Sequence, residues 1–192
     1  VNQDYKVAFI YAPRPAIPAS VSFDANGGSF AGGLTTKQLD NKAANAGDKS
    51  IITQAEVTGI GEPEAEGRTF LGWALDNGNK PENKEAFPHT ITQDEAETGL
   101  TYYAIWEINT YTVEFVDHDG TVLDTQSVEW ERDATPPANP DRLGYTFKGW
   151  SGNYTGVTKN ETVTATYTIN TYTVKFVDHD GTVLDTQSVE WE

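Results

Sequence analysis

A block of 24 residues, INTYTVEFVDHDGTVLDTQSVEWE at Ile108–Glu131, recurs at Ile169–Glu192 with one change, Glu114 giving way to Lys175. The offset is 61 residues. So strict a period marks a tandem array of small modules, each burying its apolar face partly on itself and partly on its neighbours. It also shifts the functional question. A site of chemistry is usually made once, whereas a duplicated module builds length, presents a surface or binds repetitively.

The single difference between the copies locates a face. Tyr111, Val113 and Phe115 share one parity, and Thr112 and Glu114 share the other. Strand side chains alternate, so Glu114 is predicted to face solvent while its neighbours face a core. A carboxylate exchanged for an ammonium fits that assignment, because an unpaired buried charge is strongly destabilising.

Composition excludes several classes. The chain carries 29 acidic and 13 basic residues, a net charge of −16. That is the wrong sign for nucleic acid or an anionic membrane surface, and it reads as a solubility device. There is neither Cys nor Met, which rules out disulfides and thiolate metal sites. No apolar run reaches transmembrane length, so no membrane insertion is expected within the segment, and the N-terminus lacks a signal peptide. The chain starts and stops mid-pattern, so anchoring and targeting signals are expected to lie outside it.

Residues 108–168 are the easiest module to parse. Tyr111–Val116 and Val122–Trp130 read as a hairpin around Asp119-Gly120, a dipeptide suited to the positive φ angles of a tight turn. Three prolines, Pro136, Pro137 and Pro140, exclude a regular helix or central strand from the next stretch. Tyr145–Trp150 is the third strand, with Gly149 breaking its parity as a bulge would. A turn-rich loop leads to the fourth strand, Thr162–Ile169, with Val163, Ala165, Tyr167 and Ile169 inward.

An earlier, diverged copy occupies residues 19–107. GRTFLGW at Gly67–Trp73 matches GYTFKGW at Gly144–Trp150, and Leu100–Trp106 precedes the corresponding last strand by the same 61 residues. Two insertions separate the copies. The first contains TTKQLDNKAANAG, expected to be a short helix opened by Thr35 or Thr36 and stopped by Gly47. The second, polar from Asp76 to Gly99, is expected to be a long surface loop. Residues 1–18 hold an apolar strand at Lys6–Tyr11, read as the close of a preceding domain or an edge strand, followed by a Pro-rich linker. Residues 169–192 form a truncated third copy, a hairpin that must pack on its neighbour or fray. Junctions of about three residues leave little hinging freedom, so the modules are expected to stack in line as a semi-rigid rod.

The fold class that follows is mostly β (α+β), in tandem modules of about four strands with one short helix in the first. The order of motifs carries a resemblance. An opening strand such as VSFDANGG (Val21–Gly28) or YTVEFVDHDG (Tyr111–Gly120), then G-x-T-F-x-G-W, then a strand such as YYAIW or VTATYTIN, resembles the Listeria–Bacteroides repeat family, the internalin B-type B-repeat. The hairpin is also similar to mucin-binding-protein repeats. The resemblance implies β-grasp-like modules of bacterial surface proteins, in a secreted or cell-wall location, with an adhesin stalk or host-contact role. It brings no shared catalytic residues, and the prolines and insertions depart from the family pattern.

Few residues invite a chemical role. Asp117-His118-Asp119, repeated at Asp178-His179-Asp180, is the one cluster that resembles a metal or acid–base site. Alternation would put both aspartates on one face and the histidine on the other, so a solvated turn and no metal is expected. A Ser-His-Asp arrangement lacks a nucleophile elbow. Among the five Trp, Trp73 and Trp150 match in frame and are expected in the core. Trp130, Tyr154 and Trp191 are the candidate ligand contacts, since exposed aromatics can stack on sugar rings. No cofactor is implied. The expected partners are neighbouring modules and a host protein or glycan. The reading is therefore a non-enzymatic, extracellular repeat segment of a Gram-positive adhesin or cell-wall protein. The alternative is a carbohydrate-binding module of a secreted glycan-degrading enzyme.

Overall fold

Val21 and Phe23 alternate with Ser22 and Asp24, and that period of two builds strand β1 (Ile17–Asp24), whose apolar parity is buried. The computed structural model describes residues 12–192, which divide into two units meeting between Glu107 and Ile108. The strand expected at Lys6–Tyr11 lies outside the described residues.

In the first unit, β1 is followed by β2 (Thr36–Ala44), β3 (Ile51–Ile52), α1 (Gln54–Ile60), β4 (Arg68–Ala74), β5 (His89–Thr90), α2 (Gln93–Thr98) and β6 (Leu100–Ile108). The four longer strands form one sheet in the order β2-β1-β6-β4. β1 is antiparallel to β2 and parallel to β6, with Phe23 opposite Tyr102. The short strands β3 and β5 pair separately, Ile51 opposite Thr90.

The second unit repeats the plan. Its strands β7 (Thr110–Val116), β8 (Val122–Glu129), β9 (Tyr145–Ser151) and β10 (Glu161–Ile169) lie in the order β8-β7-β10-β9, with β7 parallel to β10. Each sheet thus has the strand order 2-1-4-3 of a β-grasp module. Residues 131–144, the Pro-rich stretch, contain no regular element, as expected. The third copy is a separate two-stranded sheet of β11 (Thr171–Val177) and β12 (Val183–Glu190).

The G-x-T-F-x-G-W motif is what makes the two cores alike. Phe70 meets Trp73 at 5.1 Å and 65°, and Phe147 meets Trp150 at 5.4 Å and 66°. Each Trp then receives a β1-type Phe edge-on, Phe23 at 4.9 Å and Phe115 at 5.1 Å. Trp73 is buried and Trp150 half-buried in these clusters. Edge-to-face contacts of this kind add to the area that the rings bury, and a module of this size depends on them. The bulge expected at Gly149 is present, since the β9–β10 register shifts between Thr166 and Tyr167.

Two expectations for the first unit are corrected. Thr36–Ala44 is a strand, not a helix. Its residues have helical composition, but pairing with β1 from Asp24–Thr36 to Ile17–Ala44, interrupted by one bulge opposite Ala19–Val21, supplies cross-strand partners that an isolated helix of this length could not match. The helices lie elsewhere, and both begin with a capping box. Thr53 and Thr92 accept from the backbone of Glu56 and Glu95, whose carboxylates return to the threonine backbone N–H. The second insertion is therefore not simply a surface loop, since it contains β5 and α2, and Ile91 and Ala96 join the core.

Candidate functional site

The β7 ladder ends at Val116, and the chain turns there. Asp117 N–H donates to the Thr121 carbonyl at 2.8 Å, and Gly120 N–H donates back to the Asp117 carbonyl at 3.0 Å. Gly120 has φ of +87°, a region that other residues enter at a cost. Once the backbone turns, strand alternation no longer assigns faces. The separation expected for Asp117, His118 and Asp119 is therefore corrected: one ligand-type atom from each lies within 4.8 Å of the others.

Asp117 Oδ1 already has several partners. It accepts from the His118 backbone N–H at 2.7 Å, lies 3.1 Å from His118 Nδ1, and accepts the Tyr167 hydroxyl at 2.7 Å. Tyr167 arrives because β10 runs parallel to β7 with Thr164 opposite Val116, which carries Tyr167 past the end of β7 to the level of the turn. The His118 ring meets the Tyr167 ring edge-on at 5.7 Å. Arg142 stacks over Tyr145 at 3.7 Å and lies 5.4 Å from the Tyr167 ring centre.

This clasp moves both titrations. The Tyr167 hydrogen bond, helped by the donors of His118, brings the Asp117 carboxyl down to about 2. Burial, and then the bond to Asp117, pushes the Tyr167 hydroxyl up to about 12. Asp119 is held below its ordinary value, first by the backbone N–H of Thr121. The arrangement fastens a hairpin turn to a distant strand. Alternation alone places Tyr167 inward and is silent on its partner, and nothing in the sequence singles out Arg142.

The three candidate aromatics lie in three different surroundings. Tyr154 is half-buried against the second core, its ring 6.0 Å from Phe115. Trp191 stays 39% exposed, against Tyr172 and Gly144. Its indole lies so close to Gly144 that a Cβ there would come within 1.9 Å of it. Trp130 is half-buried where β8 ends, its backbone N–H donating to Asn109 at 2.9 Å. A concave surface that sequence reasoning did not anticipate lies in the first unit. A groove of about 260 Å³ between α1, β4 and residues 84–87 is lined by Gln54, Phe70, Trp73, Lys84, Glu85 and Phe87 among others.

The sequence pattern of the Listeria–Bacteroides repeat domain matches residues 20–96 and 111–171, which take in most of each four-stranded sheet. The chain belongs to the Listeria–Bacteroides repeat family. Such repeats occur in surface proteins such as internalins. Internalin H of Listeria monocytogenes is 36% identical over 118 residues, 59% of this chain and 20% of its own. Two proteins of Evansella cellulosilytica are also similar. One, named "Putative membrane protein", is 30% identical over 89% of this chain and 24% of its own length. The other, named "Putative Gly-rich membrane protein", is 29% identical over 95% of this chain and 20% of its own. The chain thus spans a quarter or less of the curated relatives it matches. No helix among the described residues is long and apolar enough to cross a membrane.

Proposed function

We propose that these Listeria–Bacteroides repeats act as a non-catalytic, semi-rigid spacer in a cell-wall adhesin, holding a binding region away from the bacterial surface and offering their own exposed faces to a host protein or glycan. The observation that carries the reading is the junction at Asn170, the one residue between β10 and β11. Its backbone N–H donates to the Gly144 carbonyl at 2.8 Å, and its side-chain oxygen accepts from the Thr146 hydroxyl at 2.6 Å. Its carbonyl accepts from Trp191 N–H at 2.9 Å, which closes the hairpin base over Gly144. A junction with its backbone groups bound on both sides has little torsional freedom, and a spacer needs that stiffness.

Because the chain has no Cys, spin labels can be placed cleanly at Lys148→Cys and Leu184→Cys, two exposed positions. Pulsed dipolar spectroscopy should return one narrow distance distribution, which two glycines inserted after Asn170 should broaden. A broad distribution in the uninterrupted chain would remove the spacer reading.

A second reading, a glycan-binding module of a secreted glycan-degrading enzyme, draws on the groove beside α1. Phe70 and Phe87 there offer ring faces or edges next to Lys84 and Glu85, a combination suited to a sugar. A glycan-array screen with Lys84→Ala as its control would favour it only if a glycan binds and the variant loses it.

A further inference from the structure

Gly72 and Gly149 hold the same place in the G-x-T-F-x-G-W motif, with φ of +147° and +144°, yet their surroundings differ. A Cβ on Gly149 would meet nothing within 4 Å, whereas one on Gly72 would come within 2.5 Å of Lys84 Cε and 3.0 Å of its Cδ. The Lys84 stem therefore lies along bare backbone in the first repeat alone. α1 supplies a further wall of the groove there, and no helix stands between β8 and β9. The second repeat thus lacks both walls.

The apolar part of this groove is held in place. Val57 and Trp73 are buried, and Phe70 and Phe87 are half-buried. Phe70 meets Trp73 and Trp106 edge-on at 5.1 and 5.7 Å, and Phe87 leans on Tyr102 at 5.3 Å. Rings already fixed by neighbours lose little freedom when a ligand covers them. The polar part is unengaged. The side chains of Gln54, Glu62, Lys84 and Glu85 have no hydrogen-bond or ion-pair partner among the described residues. Charge then narrows the ligand. An anion would face Glu62 and Glu85, and a cation would sit beside the Lys84 ammonium, one bond beyond the Cε that rests on Gly72. An uncharged ligand with both donors and acceptors avoids either conflict. At about 260 Å³ the groove suits a single ring with one substituent. A sugar sets its C–H face on aromatic rings and its hydroxyls at the polar groups around them. Against four apolar side chains, an acetamido methyl fits where a hydroxyl would be left unpaired.

We propose that this groove seats one N-acetylhexosamine unit of an uncharged glycan, an assignment that rests on the glycan-binding reading of the same groove. The acetamido methyl lies on the apolar floor, and Lys84 donates to the acetamido carbonyl. Gln54, Glu62 and Glu85 accept from the N–H and hydroxyl groups at the rim.

The probes are three tetrasaccharides of one linkage, titrated into the 192-residue chain and followed by amide NMR. The first is built of N-acetylglucosamine, and the second of glucose, with hydroxyl in place of acetamido. The third alternates N-acetylglucosamine with its lactyl ether, as wall glycan does, which adds carboxylates. The first should saturate one site per chain and shift the amides of Thr58, Leu71 and Lys84. The glucose and carboxylated tetramers should each bind at least about tenfold more weakly. Lys84→Ala and Gln54→Ala, at exposed positions, should each weaken the first tetramer by about as much, whereas Lys148→Ala on β9 should leave it unchanged. Equal binding of the glucose tetramer overturns the acetamido assignment and leaves the glycan reading standing. Equal binding of the carboxylated tetramer overturns the uncharged assignment and points to wall glycan as the source. Shifts confined to other amides, or binding that survives either groove substitution, overturn the site. Absence of saturable binding by the first tetramer overturns the inference, and the glycan reading falls with it only when the array is also blank.

Discussion

The Tyr167 hydroxyl donates to Asp117 Oδ1 at 2.7 Å, joining residues 50 positions apart in the chain. The bond fastens the tip of the β7–β8 hairpin to the far end of β10. It gives the turn a charge-assisted contact that the same turn in the third copy lacks within these residues, where Asp178 accepts from His179.

The pH dependence of this clasp has a defined sign. Asp117 sits at about 2 in the folded chain against an ordinary 3.8, so its contribution is present above about 4 and lost as pH falls toward 2. Tyr167 sits at about 12 against 10, so its contribution is present below about 10 and lost as pH rises toward 12. Tyr167→Phe should cost about 1 kcal/mol at neutral pH in urea unfolding. The deficit should shrink below pH 3. A carboxyl titration by NMR should find Asp117 moved back toward its ordinary value. An unmoved Asp117 in that variant would show that the bond does not form in solution.

Exchanging the one position at which the two blocks differ should be nearly neutral. Glu114 is half-buried on β7 opposite Thr125 and Thr162, and Lys175 is exposed on β11. Glu114→Lys and Lys175→Glu should each move stability by about 0.5 kcal/mol or less in thermal melts. A loss several times larger for Glu114→Lys would place that parity against the core.

Lys42 should be far less tolerant. It is only 6% exposed, and its ammonium donates to the Ile51 carbonyl and pairs with Glu56 at 2.7 Å. Lys42→Met strips the Ile51 carbonyl of its donor and α1 of its tie to β2, at a cost of about 2 kcal/mol. A variant as stable as the parent in denaturant titration would mean that the ammonium contributes no net stability.

The Asp117-His118-Asp119 turn brings three ligand-type atoms together, yet Asp117 Oδ1 is already engaged by Tyr167 and His118. Melting with a chelator, with calcium and with zinc should therefore give one midpoint. A rise of many degrees with either metal would establish a metal site at the turn.

What the sequence determined by itself is local. The two-residue alternation at Tyr111–Phe115, the Asp119-Gly120 turn and the G-x-T-F-x-G-W motif each encode their geometry within a few residues. The strands, the hairpin and the aromatic clusters around Trp73 and Trp150 were accordingly legible. The capping boxes at Thr53–Glu56 and Thr92–Glu95 are equally legible by their T-x-x-E spacing. Tertiary structure decided the rest. Residues 36–44 became a strand because β1 offers partners along both halves of their length, on either side of one bulge, which outweighs weak intrinsic propensity. Asp117, His118 and Asp119 converge because the ladder ends at Val116, and Tyr167 reaches them only through a parallel pairing between strands distant in sequence. No periodicity within the chain carries such a contact, since it exists only after the sheet has closed.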